Sequence, residues 1–268
     1  MRIDEYLAKN ALAQSRERAK SLILNGNISV NGNTVSKPSY QVSGSENIKI
    51  TGEQLRYAGR GGLKLEKAVD VFGIDLKGKI CADLGASTGG FTDCMLQNGA
   101  ERVYAVDVGH GQLSLKLSED SRVISMEGFN VRELAPDDLG GKVDFAGCDL
   151  SFISLKLVIP NIAGILKSSG EAVLLIKPQF ECGRENLGKS GIVRSPKIHI
   201  RVIEEVISAL QLSGLTADML DFSPVCGGSG NIEYLVHTAF PPNIGEISCN
   251  AAETVKNSFS YFRKEKCR

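Results

Sequence analysis

Asp83-Leu84-Gly85-Ala86-Ser87-Thr88-Gly89-Gly90 decides the fold, because it joins a buried-strand pattern to a helix through a glycine-rich turn. On its N-terminal side, Lys79-Ile80-Cys81-Ala82 is a short, mostly apolar run that reads as a buried strand. Phe91 to Gln97 then carries apolar residues at 91, 95 and 96, suiting a helix that packs back on the sheet. Gly85 and Gly89-Gly90 permit positive φ and close backbone approach. Strand, turn and helix together make a nucleotide-binding corner, although a glycine turn can also be a plain connection. The dinucleotide fingerprint G-x-G-x-x-G is not met, since Ser87 stands where the middle glycine would be. That weakens a dehydrogenase reading and leaves an adenosyl-type ligand.

The second strand tests this reading. Arg102-Val-Tyr-Ala-Val-Asp107 is apolar up to a terminal carboxylate, 24 positions after Asp83. In doubly wound folds an acid there hydrogen-bonds ribose hydroxyls. A helix N-cap is the alternative role for Asp107.

At 268 residues the chain has room for a full α/β domain and a small companion. Lys+Arg 31 balances Asp+Glu 31, so no overall basic excess advertises nucleic acid. Residues 1–62, however, hold nine Lys/Arg against five Asp/Glu, which makes the basic surplus local to the N-terminal part. Seven cysteines, with no C-x-x-C pair and no His at metal-ligand spacing, read as reduced thiols of the cytoplasm, with no metal site. The longest purely apolar run, Ala172 to Ile176, is far too short for a membrane helix, and no signal-peptide pattern opens the chain. Nothing bears on oligomeric state.

The first 50 or so residues read as a compact α+β unit. Ile3, Tyr6 and Leu7 repeat at helical spacing; Ser15 can cap a second helix whose buried stripe is Ala19, Leu22 and Ile23 and whose stop is Gly26. Ile28-Ser-Val30 and Asn33-Thr-Val35 flank Asn31-Gly32, a hairpin signal, and Asn47-Ile-Lys-Ile50 offers a further strand. Arg16 and Lys20 lie four apart on the side opposite the stripe, with Arg18 nearby, a pattern that often means only solvation. This layout, carried by Arg2-Ile-Asp-Glu-Tyr-Leu7, Ser15-Arg-Glu-Arg-Ala-Lys20 and Val30-Asn-Gly32, resembles the αL RNA-binding module of a small-subunit ribosomal protein, tyrosyl-tRNA synthetases and pseudouridine synthases. The resemblance implies that Arg2, Arg16, Arg18 and Lys20 meet RNA phosphates.

The expected division is residues 1–51 for that module, 52–62 as a glycine-rich linker, 63–241 as a Rossmann-like domain and 242–268 as a polar tail with one terminal helix ending Arg263-Lys264-Glu265-Lys266 and no assigned function. In the large domain, strands and helices alternate as in a parallel sheet, with strand-like runs ending at Asp83, Asp107, Asp149 and Lys177. A helix over 196–212 and strands over 216–222 and 233–240 follow.

Ligands of open α/β sheets lie beyond the carboxyl ends of the strands, so charged residues there invite functional suspicion. Lys64 lies in Arg60-Gly-Gly-Leu-Lys-Leu65 and Asp149 ends Val143-Asp-Phe-Ala-Gly-Cys148. Lys177 follows Ala172-Val-Leu-Leu-Ile176 and precedes Pro178; Glu233 begins the last strand after Cys226-Gly-Gly-Ser-Gly230. A surface Lys or Glu is the default, but an ammonium directly after five apolar residues either escapes to solvent or is held in a desolvated pocket with acids nearby.

These four fall in the order of the Lys-Asp-Lys-Glu tetrad of FtsJ-type RNA ribose 2′-O-methyltransferases, which the chain resembles over about residues 1–240. Asp83-Leu-Gly-Ala-Ser-Thr-Gly-Gly-Phe-Thr92, Asp107-Val-Gly-His-Gly-Gln-Leu113, Asp149-Leu-Ser-Phe-Ile-Ser-Leu155 and Lys177-Pro-Gln-Phe-Glu181 are similar to the TlyA branch, also labelled haemolysin A. The resemblance implies S-adenosyl-L-methionine as cofactor, a cytidine 2′-hydroxyl of ribosomal RNA as acceptor, and Lys64, Asp149, Lys177 and Glu233 as catalytic residues. By position it assigns Asp83 and Gly85, Ala86, Ser87, Thr88, Gly89, Gly90 and Phe91 to the methionine part, Asp107 with Val108 to the ribose, and Asn130 with Asp149 to the adenine side or the methyl-transfer region. Arg60, and Arg184 and Lys189 in the basic loop 180–194, are expected to grip RNA, though that loop can equally be a connection.

A neutral Lys177 acting as base requires its pKa to fall from about 10.4 to about 7–8. Burial and the like charge of Lys64 push that way; Asp149 and Glu233 push back. The simpler expectation is that Lys177 and Asp149 orient the hydroxyl and the proton leaves late. Three rivals compete with this reading. An NAD-linked oxidoreductase with an RNA-binding appendage leaves Ser87 and Lys177 unexplained. A cytolysin has no export signal or pore segment here, and an inert ribosome-binding factor has no need of all four tetrad residues.

Overall fold

The computed structural model describes the chain apart from residues 11, 14, 15, 25, 51–55, 189, 242–247 and 265–268, and apart from the side chains at 17, 18 and 21. The expected Ser15 cap, the Arg18 side chain and Lys189 therefore lie outside the described residues. Two compact units appear, Met1–Arg56 and Tyr57–Arg268. The boundary falls inside the stretch 52–62 read as a linker.

In the first unit, α1 (Ile3–Lys9) and α2 (Arg16–Leu24) lead into β1 (Ile28–Val30), β2 (Asn33–Thr34) and β3 (Ile48–Ile50), an antiparallel sheet in the order β2-β1-β3. Asn31 and Gly32 adopt φ of 51° and 84°, the left-handed pair that a two-residue hairpin turn requires. Ile3, Leu7, Ala19 and Ile23 are fully buried and form the core, while Tyr6 and Leu22, the other members of the inferred stripes, pack against it partly exposed. Asp4 is buried with them, between Arg2 at 2.9 Å and Arg16 at 3.2 Å. The Arg2 hydrogen bond, opposed by burial and assisted by Arg16, draws its carboxyl down to about 2. Two of the guanidinium groups expected at RNA thus also hold this small core together.

The second unit follows with α3 (Gly61–Phe72), β4 (Ile80–Leu84), α4 (Gly90–Gln97), β5 (Arg102–Asp107), α5 (Leu115–Ser118), β6 (Val123–Glu127), β7 (Val143–Cys148), α6 (Ile159–Ile165), β8 (Leu166–Ile176), α7 (Pro178–Glu181), α8 (Pro196–Leu212), β9 (Thr216–Phe222), β10 (Tyr234–Ala239) and α9 (Ala251–Lys264). Its seven strands form one sheet in the order β6-β5-β4-β7-β8-β10-β9. The chain leaves β4 toward β5 and β6, then returns to place β7 on the other side of β4, which makes β4 the switch point where an α/β sheet opens a crevice. Of the seven, β10 runs against its neighbours, with Tyr234 opposite Ile176. That reversal explains how Glu233, before a strand, shares an edge with Asp107, Asp149 and Lys177, at or after strand ends.

The segment beyond residue 242 supplies more than a polar tail. α9 buries Ala251, Thr254, Val255 and Ser258, and Phe259 meets the His199 ring edge-on at 5.1 Å. Cys81, Cys94, Cys148, Cys182 and Cys249 are free thiols, as expected, but Cys226 is disulfide-bonded, which departs from the reading of all seven as reduced. Among the described residues no helix is long and apolar enough to cross a membrane, and no group of three His, Cys, Asp or Glu is disposed to hold a metal.

Away from the strand-end edge, His237 on β10 lies between Asp218 at 2.6 Å and Glu171 at 2.9 Å, and Glu171 also pairs with Lys79. Burial opposes the imidazolium, but the hydrogen bonds to Asp218 and Glu171 outweigh it and raise the ring to about 9 from 6.5. A group raised on folding stabilises fully below its unfolded value and loses that contribution as pH climbs through the folded one. The unfolding free energy of the wild type, measured by urea titration, is therefore expected to fall between pH 6.5 and 9, by up to about 3 kcal/mol, and His237→Gln to flatten that slope. An unchanged slope in the variant would remove His237 as its source.

Candidate active site

The glycine turn leaves β4 and enters α4 at the switch point. Gly85 adopts φ 93°, and a Cβ there would stand 2.8 Å from the Asp149 carbonyl oxygen. Gly90 is equally constrained, since a Cβ would meet the Gly62 amide at 2.8 Å. Segment 57–62 thus packs on the turn: Ala58 N–H donates to Asp93 at 2.9 Å, and Arg60 and Gly61 face the cavity beyond. Ser87, the residue in place of a glycine, adopts the left-handed conformation anyway, at φ 47°. Its amide donates to Asp107 Oδ2 at 2.8 Å and its hydroxyl to Gln112 at 3.2 Å, contacts that hold the strained backbone in place.

Asp83 stands behind the turn, fully buried. Its Oδ2 accepts from the Thr92 amide at 2.8 Å and the Thr92 hydroxyl at 2.6 Å, while Oδ1 is buried with no partner among the described residues. Burial pushes this carboxyl up to about 7 against the Thr92 hydrogen bonds. Asp83 thus fixes the turn from behind, while Gly85 and Gly90, which leave no room for a Cβ, form the cradle that a ligand's close approach requires.

Two cavities meet here. One, of about 550 Å³, is lined by the turn, Arg60, Lys64, Asp149, Lys177, Phe180 and Glu233. The other, of about 470 Å³, is lined by Asp107, Val108, Gln112, Asn130 and Leu150. Gly85, Ser87, Asp149, Ser151 and Phe152 border both. Asp107 also receives Gly109 N–H at 2.7 Å, and Asn130 accepts from the Arg132 amide at 3.1 Å, so each holds its own loop as well as facing the cavity.

The four strand-end charges come together. Lys64 Nζ reaches Asp149 Oδ2 at 3.2 Å and Glu233 Oε2 at 2.8 Å, and Lys177 Nζ reaches Asp149 Oδ1 at 2.6 Å. Lys64, Lys177 and Glu233 are 8%, 6% and 2% exposed, so two ammonium groups and two carboxylates share a desolvated pocket with balanced charge. Burial opposes each charge, yet attraction from Asp149 and Glu233 leaves Lys64 raised, and attraction from Lys64 and Lys177 leaves Asp149 lowered. The cluster is held as ion pairs.

Gly89 and Asp83 border neither cavity, and Arg184 is exposed in a short turn away from both linings. Sequence reasoning missed Gln112, Ser151, Phe152 and Gln179. Gln179 donates to Glu233 at 3.2 Å, and Lys177 donates to Ser151 Oγ at 2.8 Å. Phe152 is 91% exposed with φ 64°, and its ring lies tilted against Phe180 at 5.1 Å between centroids. All but Gln112 stand within three residues of Asp149 or Lys177, the signal that was available.

The FtsJ-like methyltransferase family model matches residues 57–240, and the S4 domain model matches residues 1–48. The chain is 47% identical to a Bacillus subtilis protein provisionally named rRNA methyltransferase YqxC, over 90% of this chain and 86% of that one. It is 39% identical to the 16S/23S rRNA (cytidine-2′-O)-methyltransferase TlyA of Mycobacterium tuberculosis, over 88% of each. A solved structure of a Streptococcus thermophilus protein provisionally named a hemolysin superposes with a TM-score of 0.81 at 45% identity, covering 99% of this chain and 98% of that one.

Proposed function

We propose, from the premise that this chain belongs to the FtsJ-like methyltransferase family, that it transfers a methyl group from S-adenosyl-L-methionine to the 2′-hydroxyl of a cytidine in ribosomal RNA. The observation that carries this reading is the Lys64–Asp149–Lys177–Glu233 cluster at the junction of two cavities. One cavity has the adenosyl-type lining and the other is open enough for a nucleotide. A ribosomal substrate would place the work in the cytoplasm, with the S4 unit as the second hold on RNA.

When bound, S-adenosyl-L-methionine supplies a sulfonium methyl that is already electrophilic. The turn from Gly85 to Gly90 would hold its methionine part, with Asp83 behind it anchoring the start of α4 through Thr92. Asp107 would take the ribose hydroxyls, and Val108 and Asn130 would flank the adenine. The chain's own task is alignment of the acceptor oxygen. Lys177, fixed by Asp149 and Ser151, offers a free N–H to that oxygen. Lys64, held by Glu233, keeps Asp149 in place, and the hydroxyl proton leaves late, to solvent water, once the forming oxygen–methyl bond has made it acidic.

Phe152 is placed to stack on a nucleotide base entering the first cavity. Such stacking is worth about 1–3 kcal/mol per base, so Phe152→Ala is expected to lower kcat/KM for rRNA roughly 5–100-fold. Cofactor affinity should change much less, and an equal loss in both would place Phe152 at the cofactor instead. The reading as a whole is tested by incubating separated ribosomal subunits with labelled cofactor and mapping the product by mass spectrometry. Label on a cytidine ribose is expected; no incorporation, or label confined to a base, would overturn it.

A further inference from the structure

We infer that Ser151 is a positioning residue for methyl transfer: its hydroxyl fixes the direction in which Lys177 presents its free N–H to the acceptor. This rests on the methyl-transfer reading above. Lys177 Nζ makes two polar contacts among the described residues, with Asp149 Oδ1 at 2.6 Å and Ser151 Oγ at 2.8 Å. An ammonium is tetrahedral and has three donors. With one donor anchored, the group still spins about that bond and the others sweep a cone. Here the Ser151 hydroxyl takes the directional hydrogen bond, and the ion pair with Asp149 Oδ1, which lacks hydrogen-bond geometry, limits rotation about it by charge, so the sweep of the remaining N–H groups is narrowed. Those N–H groups belong to a nitrogen on the wall of the 550 Å³ cavity, which Ser151 also lines.

The loop bearing Ser151 is independently secured, so its hydroxyl is not needed to hold the fold. Asp149 N–H donates to the Leu84 carbonyl at 3.0 Å. Glu181, in the turn after Lys177, accepts from the Ser154 hydroxyl and the Leu155 amide, each at 2.6 Å. These bonds tie the Asp149 loop to the Lys177 turn on the far side of Ser151. Ser151 itself is exposed and buries nothing that a methyl group would disturb. The remaining neighbour of Nζ, the Phe180 ring at 5.9 Å, gives attraction without direction.

The test compares full-length wild type with Ser151→Ala and Ser151→Thr. Ser151→Ala is expected to lower kcat about 10–100-fold, the worth of one hydrogen bond to a charged group, with KM and Kd for S-adenosyl-L-methionine within about 2-fold. Ser151→Thr, which keeps the hydroxyl, should recover most of the rate. A kcat within about 2-fold of wild type for Ser151→Ala, or a loss seen only in cofactor affinity, would overturn the inference. A second readout is free of turnover: solvent exchange of the Lys177 ammonium signal in nitrogen-detected NMR, assigned by its loss in Lys177→Met. It should quicken several-fold in Ser151→Ala and return in Ser151→Thr. Should the wild type methylate no ribose, the methyl-transfer reading falls, and this exchange alone decides whether Ser151 orients Lys177.

Discussion

Lys177→Met is expected to slow methyl transfer about 10²-fold or more, the loss that follows when a reacting group is no longer held in line. Cofactor binding should survive, because Lys177 lines the acceptor cavity and not the one bounded by Asp107 and Asn130. Lys177→Arg then separates two roles. Arginine can donate toward an oxygen and pair with Asp149 but cannot act as a base. If Lys177 orients the hydroxyl, as its ion pair with a carboxylate shared by a second lysine implies, arginine should restore part of the rate at every pH. A rate that climbs with pH in wild type, and is absent in Lys177→Arg across the same range, would show that Lys177 takes the proton.

Legibility in the sequence followed chemistry that a short window contains. Asn31-Gly32 between two β-branched runs specifies its hairpin locally, and the structure places left-handed residues there. Lys177 after Ala172–Ile176 reads as a forced choice between solvent and a charged pocket, and it lies in the pocket. By contrast, β8 begins at Leu166, six residues earlier than its apolar core suggests, because Lys167, Ser168, Ser169 and Gly170 hide the edge of a strand that its neighbours pair. The packing of the expected terminal helix, α9, is hidden for a similar reason. Its buried face of Ala251, Thr254, Val255 and Ser258 is small and partly polar, and only the partners on the second unit's sheet and α8 make it a core surface. Ser151, Gln112 and Phe152 act through neighbours 20 or more positions away, or through exposure, and no periodicity encodes either. The RNA-facing expectation for Arg2 and Arg16 gained a second demand, since both also satisfy the buried Asp4.

Asp149→Ala should be the most damaging single change to the stability of the second unit. Asp149 is the only carboxylate paired with both Lys64 and Lys177 among the described residues; removing it leaves Lys64 to Glu233 and leaves Lys177 with a hydroxyl alone. Breaking a buried pair from one side costs about 3–5 kcal/mol, because the remaining charge is desolvated without compensation. At about 2–4 °C per kcal/mol for a unit of this size, calorimetry should register a fall in Tm on the order of 10 °C. Asp149→Asn keeps the volume and isolates the charge. Attraction from Lys64 and Lys177, overcoming burial, holds this carboxyl below its usual range, so its contribution is present above that range and is lost as pH falls through the folded value. The stability gap between wild type and Asp149→Asn should therefore be widest near neutrality and close in acid. Equal stability at pH 7 would mean that the four charges only offset their own desolvation, and that the cluster is retained for catalysis and not for folding.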